Sequence, residues 1–288
     1  MFVVAQIVNP IVIPSPSPTP GAAISERSLL SSRLDEIVNN AKARTGGTLG
    51  AVIWDLGTNV QVQRNAQQPF PMTTMTKLAI AYATCRAVDN GYLQWNEAIY
   101  SAPVQVLLER MLDEDDDNSG DALYRTVGGG DGIDSALHDI GVDGMIVRID
   151  LGGLRAEANA GRTFATGGDN AASPLAVAQL FSEISSGKAL DAPSLKVCSE
   201  YLATAFDASS RLHAGLPAGT RLEHVAGTSG SLNDVVDATN DAGIAYINGR
   251  RVIIVAMLQG ASGTEAERDA IIADVARAAY DATRLFPV

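Results

Sequence analysis

Cysteine and histidine are scarce: Cys85 and Cys198 are the only thiols, and His138, His213 and His224 the only imidazoles, in 288 residues. Neither cysteine belongs to a Cys-x-x-Cys pair, and both fall in segments with helical patterning. The expectation is two buried, unpaired thiols packing as small hydrophobes. The histidines share no metal-ligand spacing, so no zinc site is expected, and no metal or other cofactor. Basic residues are also in deficit, 21 Lys and Arg against 33 Asp and Glu, for a net charge of −12. Nothing resembles a basic stripe able to neutralise phosphates, which excludes nucleic acid as a partner. Long apolar runs are missing too. The stretch from Phe2 to Ile13 falls well short of the roughly 20 residues a membrane-spanning helix needs, so no integral span is expected.

That stretch is instead the length of a secretory h-region, although no Lys or Arg precedes it and no small-x-small cleavage site follows. The Ser/Pro run after it, Pro14 to Pro20, reads as a stiff, extended spacer. Residues 1–24 are therefore expected to be a signal or anchor remnant with its linker, and the chain extracytoplasmic, either periplasmic or secreted. A hydrophobic content of 46% with 19% charged residues excludes a disordered chain. No internal repeat is visible.

Ser25 can cap a helix in which Leu30, Leu34, Ile37, Val38 and Ala41 recur at helical spacing, with Gly46 and Gly47 ending it. Thr48 to Leu56, a turn at Gly57-Thr58-Asn59, and Val60 to Arg64 read as a hairpin. Helical stretches then dominate to about Leu216, with Met145–Ile149 the one strand-like interruption. Strand patterns return at 223–226, 243–247 and 252–258, and Glu265 to Leu285 closes the chain as an amphipathic helix. This order predicts an α/β (α+β) fold. Its sheet has five mostly antiparallel strands, with the first and last helices on one face, plus an all-helical lobe. The lobes are expected at 25–70 with 217–288, and at 71–216.

Chemistry concentrates in Phe70-Pro71-Met72-Thr73-Thr74-Met75-Thr76-Lys77. Opening an apolar helix, it puts the Thr74 hydroxyl and the Lys77 amine one turn apart on the same face. A hydroxyl is inert at its own pKa and needs a neighbour to take its proton, so this is a nucleophile–base arrangement. Alternating Asp113, Asp115 and Asp117 suggest a cation loop, but Thr126 stands where a calcium loop needs its bidentate glutamate.

The Thr74 stretch resembles the nucleophile segment of class A β-lactamases, with threonine in place of serine in the Ser-x-x-Lys motif. Other segments are similar in order and spacing. Asp116-Asp117-Asn118 resembles the Ser-Asp-Asn motif and Ser173-Pro174 the step after the omega loop. Arg211 to Gly219 is similar to the Arg-x-x-x-Gly-Leu-Pro hinge, and Thr228-Ser229-Gly230-Ser231 to the Lys-Thr/Ser-Gly strand. The resemblance runs from about Ser25 to Leu285 and implies the two-lobed fold of that family. It also implies candidate catalytic residues Thr74, Lys77, Asp116, Asn118 and Glu157, the last as the only omega-loop glutamate. Thr228, Ser229, Gly230 and Ser231 are the implied ligand-binding residues.

Each motif nevertheless departs from the pattern. Thr74 adds a methyl that restricts χ1. Asp116 replaces a proton-relaying serine and is expected to hold Lys77 as its ammonium. Thr228 replaces the cation that meets a substrate carboxylate, forfeiting about 1.5–3 kcal/mol of charge-assisted hydrogen bonding unless Arg268 approaches from the last helix. Two functions stay open. One is a pseudoenzyme that binds a small-molecule or peptidoglycan-like ligand, or serves as a scaffold, with little or no β-lactam hydrolysis. The alternative is an amide or ester hydrolase acting through Thr74 and Lys77, with weak β-lactamase activity included. A monomer is expected.

Overall fold

The computed structural model describes residues 20–100, 102–160, 169–205, 210–229, 231–232 and 235–287. The apolar stretch and most of the Ser/Pro run lie outside these residues.

The chain opens with α1 (Pro20–Thr45), which begins ahead of the Ser25 cap read from the sequence. Proline suits the first helical turn, where its missing N–H has no partner to lose. The hairpin β1 (Thr48–Asp55) and β2 (Gln61–Arg64) follows, in register Ala51↔Arg64 and Trp54↔Gln61. Its turn is closed by Asp55 Oδ1, which accepts from Gly57 N at 2.7 Å and Thr58 N at 3.0 Å. Then come the short β3 (Phe70–Pro71), a 3-10 turn at Thr73–Met75 and α2 (Thr76–Asp89).

The middle of the chain holds a small ladder, β4 (Ala98–Ile99) with β5 (Ala102–Pro103), and then α3 (Val104–Asp113), α4 (Asp117–Thr126) and α5 (Gly129–His138). Beyond them lie β6 (Met145–Val147), α6 (Leu151–Asn159), β7 (Asn170–Ala172), α7 (Pro174–Ser186), α8 (Ala192–Thr204) and α9 (Arg211–Gly215). The last third returns to strand as β8 (Leu222–Thr228), β9 (Ser231–Leu232), β10 (Val235–Ile247) and β11 (Arg250–Ala261). Helix α10 (Glu265–Leu285) ends it behind a Thr264–Glu267 capping box.

The principal sheet runs β2-β1-β11-β10-β8, all antiparallel, with β9 added beside β10. The five-stranded sheet expected from the sequence is present, and so are the first and last helices on one face. Alternation along the central strands sorts the core into two layers. Ile53 and Ile254 pack with Leu34, Ile271 and Val275 of α1 and α10. Their neighbours Val52 and Val255 point the other way, into the cluster of Phe70, Leu78 and Phe181.

Three features depart from expectation. The strand read at 145–149 stops at Val147, and the side chain of Asn170 takes over. Asn170 Oδ1 accepts from Arg148 N at 2.7 Å and Ile149 N at 3.1 Å, while Nδ2 donates to Ile149 O and to Thr76 Oγ1. Helix α6 forms where the sequence reading placed a loop. Asp150 caps it through Gly153 N at 2.8 Å, and Asp121 Oδ1 accepts from Leu151 N at 2.7 Å. Finally, the expectation of free thiols is corrected, because Cys85 of α2 and Cys198 of α8 form a disulfide with Cα atoms 6.9 Å apart. Helical patterning marks both residues as inward but cannot reveal which helices pack together.

Candidate functional site

The site is assembled where the 3-10 turn, α2, the α3–α4 connection, α6 and the end of β8 converge. Thr73 has φ +53°, a conformation that a β-branched residue adopts only under strain, costing about 1–3 kcal/mol. Its Oγ1 donates to Met72 O at 2.6 Å. The turn lies flush against β8. A Cβ placed on Gly227 would sit 2.6 Å from Thr73 Oγ1 and 2.8 Å from both Met72 O and Met75 N, so only glycine fits there. Thr74 follows, half-buried, and its hydroxyl donates to Ala226 O of β8 at 3.3 Å.

Lys77, in the first turn of α2, is buried. Its ammonium ion-pairs with Asp115 and lies 3.4 Å from Asp117 Oδ1. Asp117 is buried as well and forms a second ion pair with Arg155, which reaches over from α6. The result is a four-membered chain of alternating charge, Asp115–Lys77–Asp117–Arg155. Lys77 thus directs its amine at two carboxylates, and the Thr74 hydroxyl is turned to Ala226 O instead.

The electrostatic role expected of Asp116 is thus corrected: its neighbours Asp115 and Asp117 face Lys77. Asp116 is the N-cap of α4, accepting from Asn118 N at 3.1 Å and Ser119 Oγ at 2.6 Å. Its carboxyl is held below the usual carboxylate range, first by the Ser119 hydroxyl and then by the Asn118 and Ser119 amides. Asn118 lends its backbone to that cap and is exposed. The helix start explains the shift. Asp115 sits at φ +57°, and this left-handed step turns its side chain inward one residue before the cap. Asp113 points away, accepting from Thr204 Oγ1 at 2.9 Å, so the alternating acids do not converge.

Thr228 ends β8, and its Oγ1 accepts from a guanidinium, but the donor is Arg211 of α9 rather than Arg268. Arg211 is buried. Its Nε pairs with Asp269 at 2.9 Å and its Nη1 donates to Asn240 O at 3.0 Å and Gly227 O at 3.4 Å. Arg268 Nε instead reaches Thr239 Oγ1 at 3.2 Å, behind the site. As with Arg155, sequence reasoning passed over Arg211 as a site residue. It stood in the hinge motif, and its reach to Thr228 depends on how α9 folds back. Ser229 is bound to β10: its N donates to Ala238 O at 3.0 Å and its Oγ accepts from Ala238 N at 2.9 Å. Gly230 lies outside the described residues, and Ser231 pairs through its backbone with Val236.

Two adjoining hollows share Thr74, Asp115 and Thr228. The larger, about 320 Å³, is walled by Lys77, Leu112, Ala205, Arg211, Val225 and Glu265. The smaller, about 170 Å³, adds Asp117, Leu151, Leu154, Arg155, Ala158 and Ser229. Glu157 lines neither. It is half-buried on α6, whose Leu154, Arg155 and Ala158 present the cleft-facing side. Among the described residues no group of three or more His, Cys, Asp or Glu side chains is placed to hold a metal ion. No described helix is long and apolar enough to cross a membrane.

A hydroxyl-bearing turn and a lysine one helical turn later are thus set between an antiparallel sheet and helices, the arrangement of a β-lactamase-like fold. The chain belongs to the beta-lactamase enzyme family, whose model matches residues 29–283. Among its relatives, the extended-spectrum beta-lactamase PER-1 of Pseudomonas aeruginosa is 25% identical over 280 residues, covering 89% of this chain and 88% of that one. Beta-lactamase VEB-1 of the same organism is 24% identical over 271 residues, covering 85% and 88%. The crystal structure of a beta-lactamase from Chitinophaga pinensis superposes with a TM-score of 0.80 at 24% identity, over 88% of this chain and 99% of that one. That structural likeness is one of fold.

Proposed function

We propose that this chain is a β-lactamase-fold domain with a degenerate active site. It binds a small-molecule or peptidoglycan-like ligand, or acts as a scaffold, with little or no β-lactam hydrolysis. The observation that carries this reading is the placement of Lys77 between Asp115 and Asp117. The base of the resembled mechanism is consumed by an ion pair, and the Thr74 hydroxyl donates to a backbone carbonyl. Arg155 stands in the smaller hollow, and Glu157 is not among the residues lining either hollow. Parts of one catalytic unit do not fail independently, so these losses compound. The candidate residues read from the sequence keep distinct proposed roles. Thr74 and Lys77 form the cleft floor, Asp116 and Asn118 the cap of α4, and Thr228 and Ser229 a ligand-facing strand end, with Gly230 and Ser231 kept as proposed ligand-binding residues. The proposed lobes are 25–70 with 217–288, and 71–216, in a monomer whose apolar stretch and Ser/Pro linker, up to the start of α1 at Pro20, are a signal or anchor remnant.

A second reading has its own support. The strained Thr73 step presents Thr74 at the junction of the two hollows, as a nucleophile would be presented. It makes the chain an amide or ester hydrolase acting through Thr74. An extracytoplasmic location, periplasmic or secreted, is supported by the Cys85–Cys198 disulfide, since such bonds persist in oxidising compartments.

One experiment separates the two readings. The protein is offered a chromogenic cephalosporin and, separately, a fluorescent activated ester, with intact-mass analysis of each mixture. Neither turnover nor an adduct on Thr74 is expected. Turnover that disappears in Thr74→Ala sinks the non-catalytic reading, and an adduct without turnover favours a live nucleophile.

A further inference from the structure

Charge within the cleft is already spoken for. Lys77 faces two carboxylates, Arg155 pairs with Asp117, and Arg211 pairs with Asp269 while donating to Thr228. Each cation that a ligand carboxylate would approach here already has a carboxylate of the protein as its partner. Negative charge is not balanced in the same way. Asp115 pairs with Lys77 but keeps 44% of its side chain exposed in the larger hollow. Asp117 Oδ1 is buried, accepts no hydrogen bond among the described residues, and has the Lys77 ammonium 3.4 Å away. Glu265, exposed at the start of α10, lines the same hollow and forms no ion pair among the described residues. The rest of the larger hollow's lining combines the apolar Leu112, Ala205, Val225 and Ala226 with Thr74, Thr228 and the two ion-paired cations Lys77 and Arg211.

We infer that the larger hollow is built for an alkylammonium group, such as a lysine-like side chain, with Asp115 and Glu265 as its specificity-determining residues. The aliphatic stem lies along Leu112, Ala205 and Val225, and the ammonium meets the two carboxylates. A volume of about 320 Å³ accommodates one such chain with its adjoining amide groups. The overall charge of −12 acts in the same sense, raising the local concentration of cations over anions. The inference rests on the ligand-binding reading and gives the ligand a charge. That charge is opposite to the carboxylate implied by the resembled substrates.

The test uses three blocked amino acids, each acetylated at the amine and methylamidated at the carboxyl: lysine, norleucine and glutamate. Each is titrated into the intact protein at low salt and followed by NMR on the amides of β8 and α2. The lysine compound should bind at least ~5-fold more tightly than norleucine, its neutral near-isostere, and lose about that factor in Glu265→Gln or in raised salt. Glu265→Lys should reverse the preference toward the glutamate compound. Equal or tighter binding of the glutamate compound by the natural protein overturns the inference, as does binding unchanged in Glu265→Gln, or no binding by any of the three. The readout is independent of acylation at Thr74. A charge preference can therefore fail while the non-catalytic reading stands, and the reverse.

Discussion

Lys77 and Asp115 are 38 residues apart in the chain and form an ion pair at the floor of the cleft, with the lysine side chain 4% exposed. If that pair is what silences Thr74, loosening it should restore nucleophilicity. Asp115→Asn preserves the left-handed backbone, which asparagine tolerates, while removing the charge. Labelling of Thr74 by an activated ester should then rise by about 100-fold, the lower end of what a general base contributes. An unchanged rate in timed intact-mass measurements would mean that the ion pair is not the block.

Gly227→Ala tests the seam between β8 and the strained turn. Its Cβ meets backbone atoms of Met72 and Met75 at 2.8 Å, and backbone cannot swing away as a side-chain tip can. A loss of about 1–3 kcal/mol in urea unfolding is expected. The same substitution at Gly219, where nothing stands within 4 Å but φ is +80°, isolates the cost of backbone conformation alone.

Joining α2 to α8 across 113 residues, the disulfide constrains the unfolded chain strongly. Replacing both cysteines by alanine should cost about 2–4 kcal/mol. Under non-reducing conditions the natural protein should resist alkylation even after unfolding. Alkylation of both cysteines without reductant would contradict the pairing.

The Asp116 cap gives a pH signature. Its carboxyl titrates lower in the folded protein than in the unfolded chain. Its contribution is therefore complete above the unfolded value of about 3.9 and is lost as pH falls through the folded value. Asp116→Ala should be about 1 kcal/mol less stable at pH 7, with the gap narrowing below pH ~4. A gap independent of pH would show that shape, not charge, carries the cap.

Much of the scaffold was legible because it is written in local patterns. Alternation in Thr48–Leu56 and Val252–Leu258 identifies paired strands, and the spacing of Ile271, Ile272 and Val275 identifies the inner face of the last helix. The site was legible in part. Thr74 and Lys77 share a helix turn, so spacing alone brings them to one face. The partners of Lys77 depend on a single left-handed residue at position 115, which decides whether Asp115 or Asp116 turns inward in a run of five acids. Arg211 was hidden for a related reason: its 17-residue reach to Thr228 is set by α9 folding back, and no periodicity records such a return. The Cys85–Cys198 pairing likewise needs helix packing, which pattern does not specify.

Mechanically, the disulfide makes the floor and one side of the cleft a single piece. Helix α2 carries Lys77, and α8 runs from Cys198 toward Ala205 on the opposing wall. Those two surfaces cannot part to admit a bulky guest. On the α6 side of the smaller hollow the restraints are instead caps and the Arg155–Asp117 ion pair. The covalent tie thus stiffens a wall of the larger hollow, while the smaller hollow is bounded by an α6 margin that no covalent bond fixes.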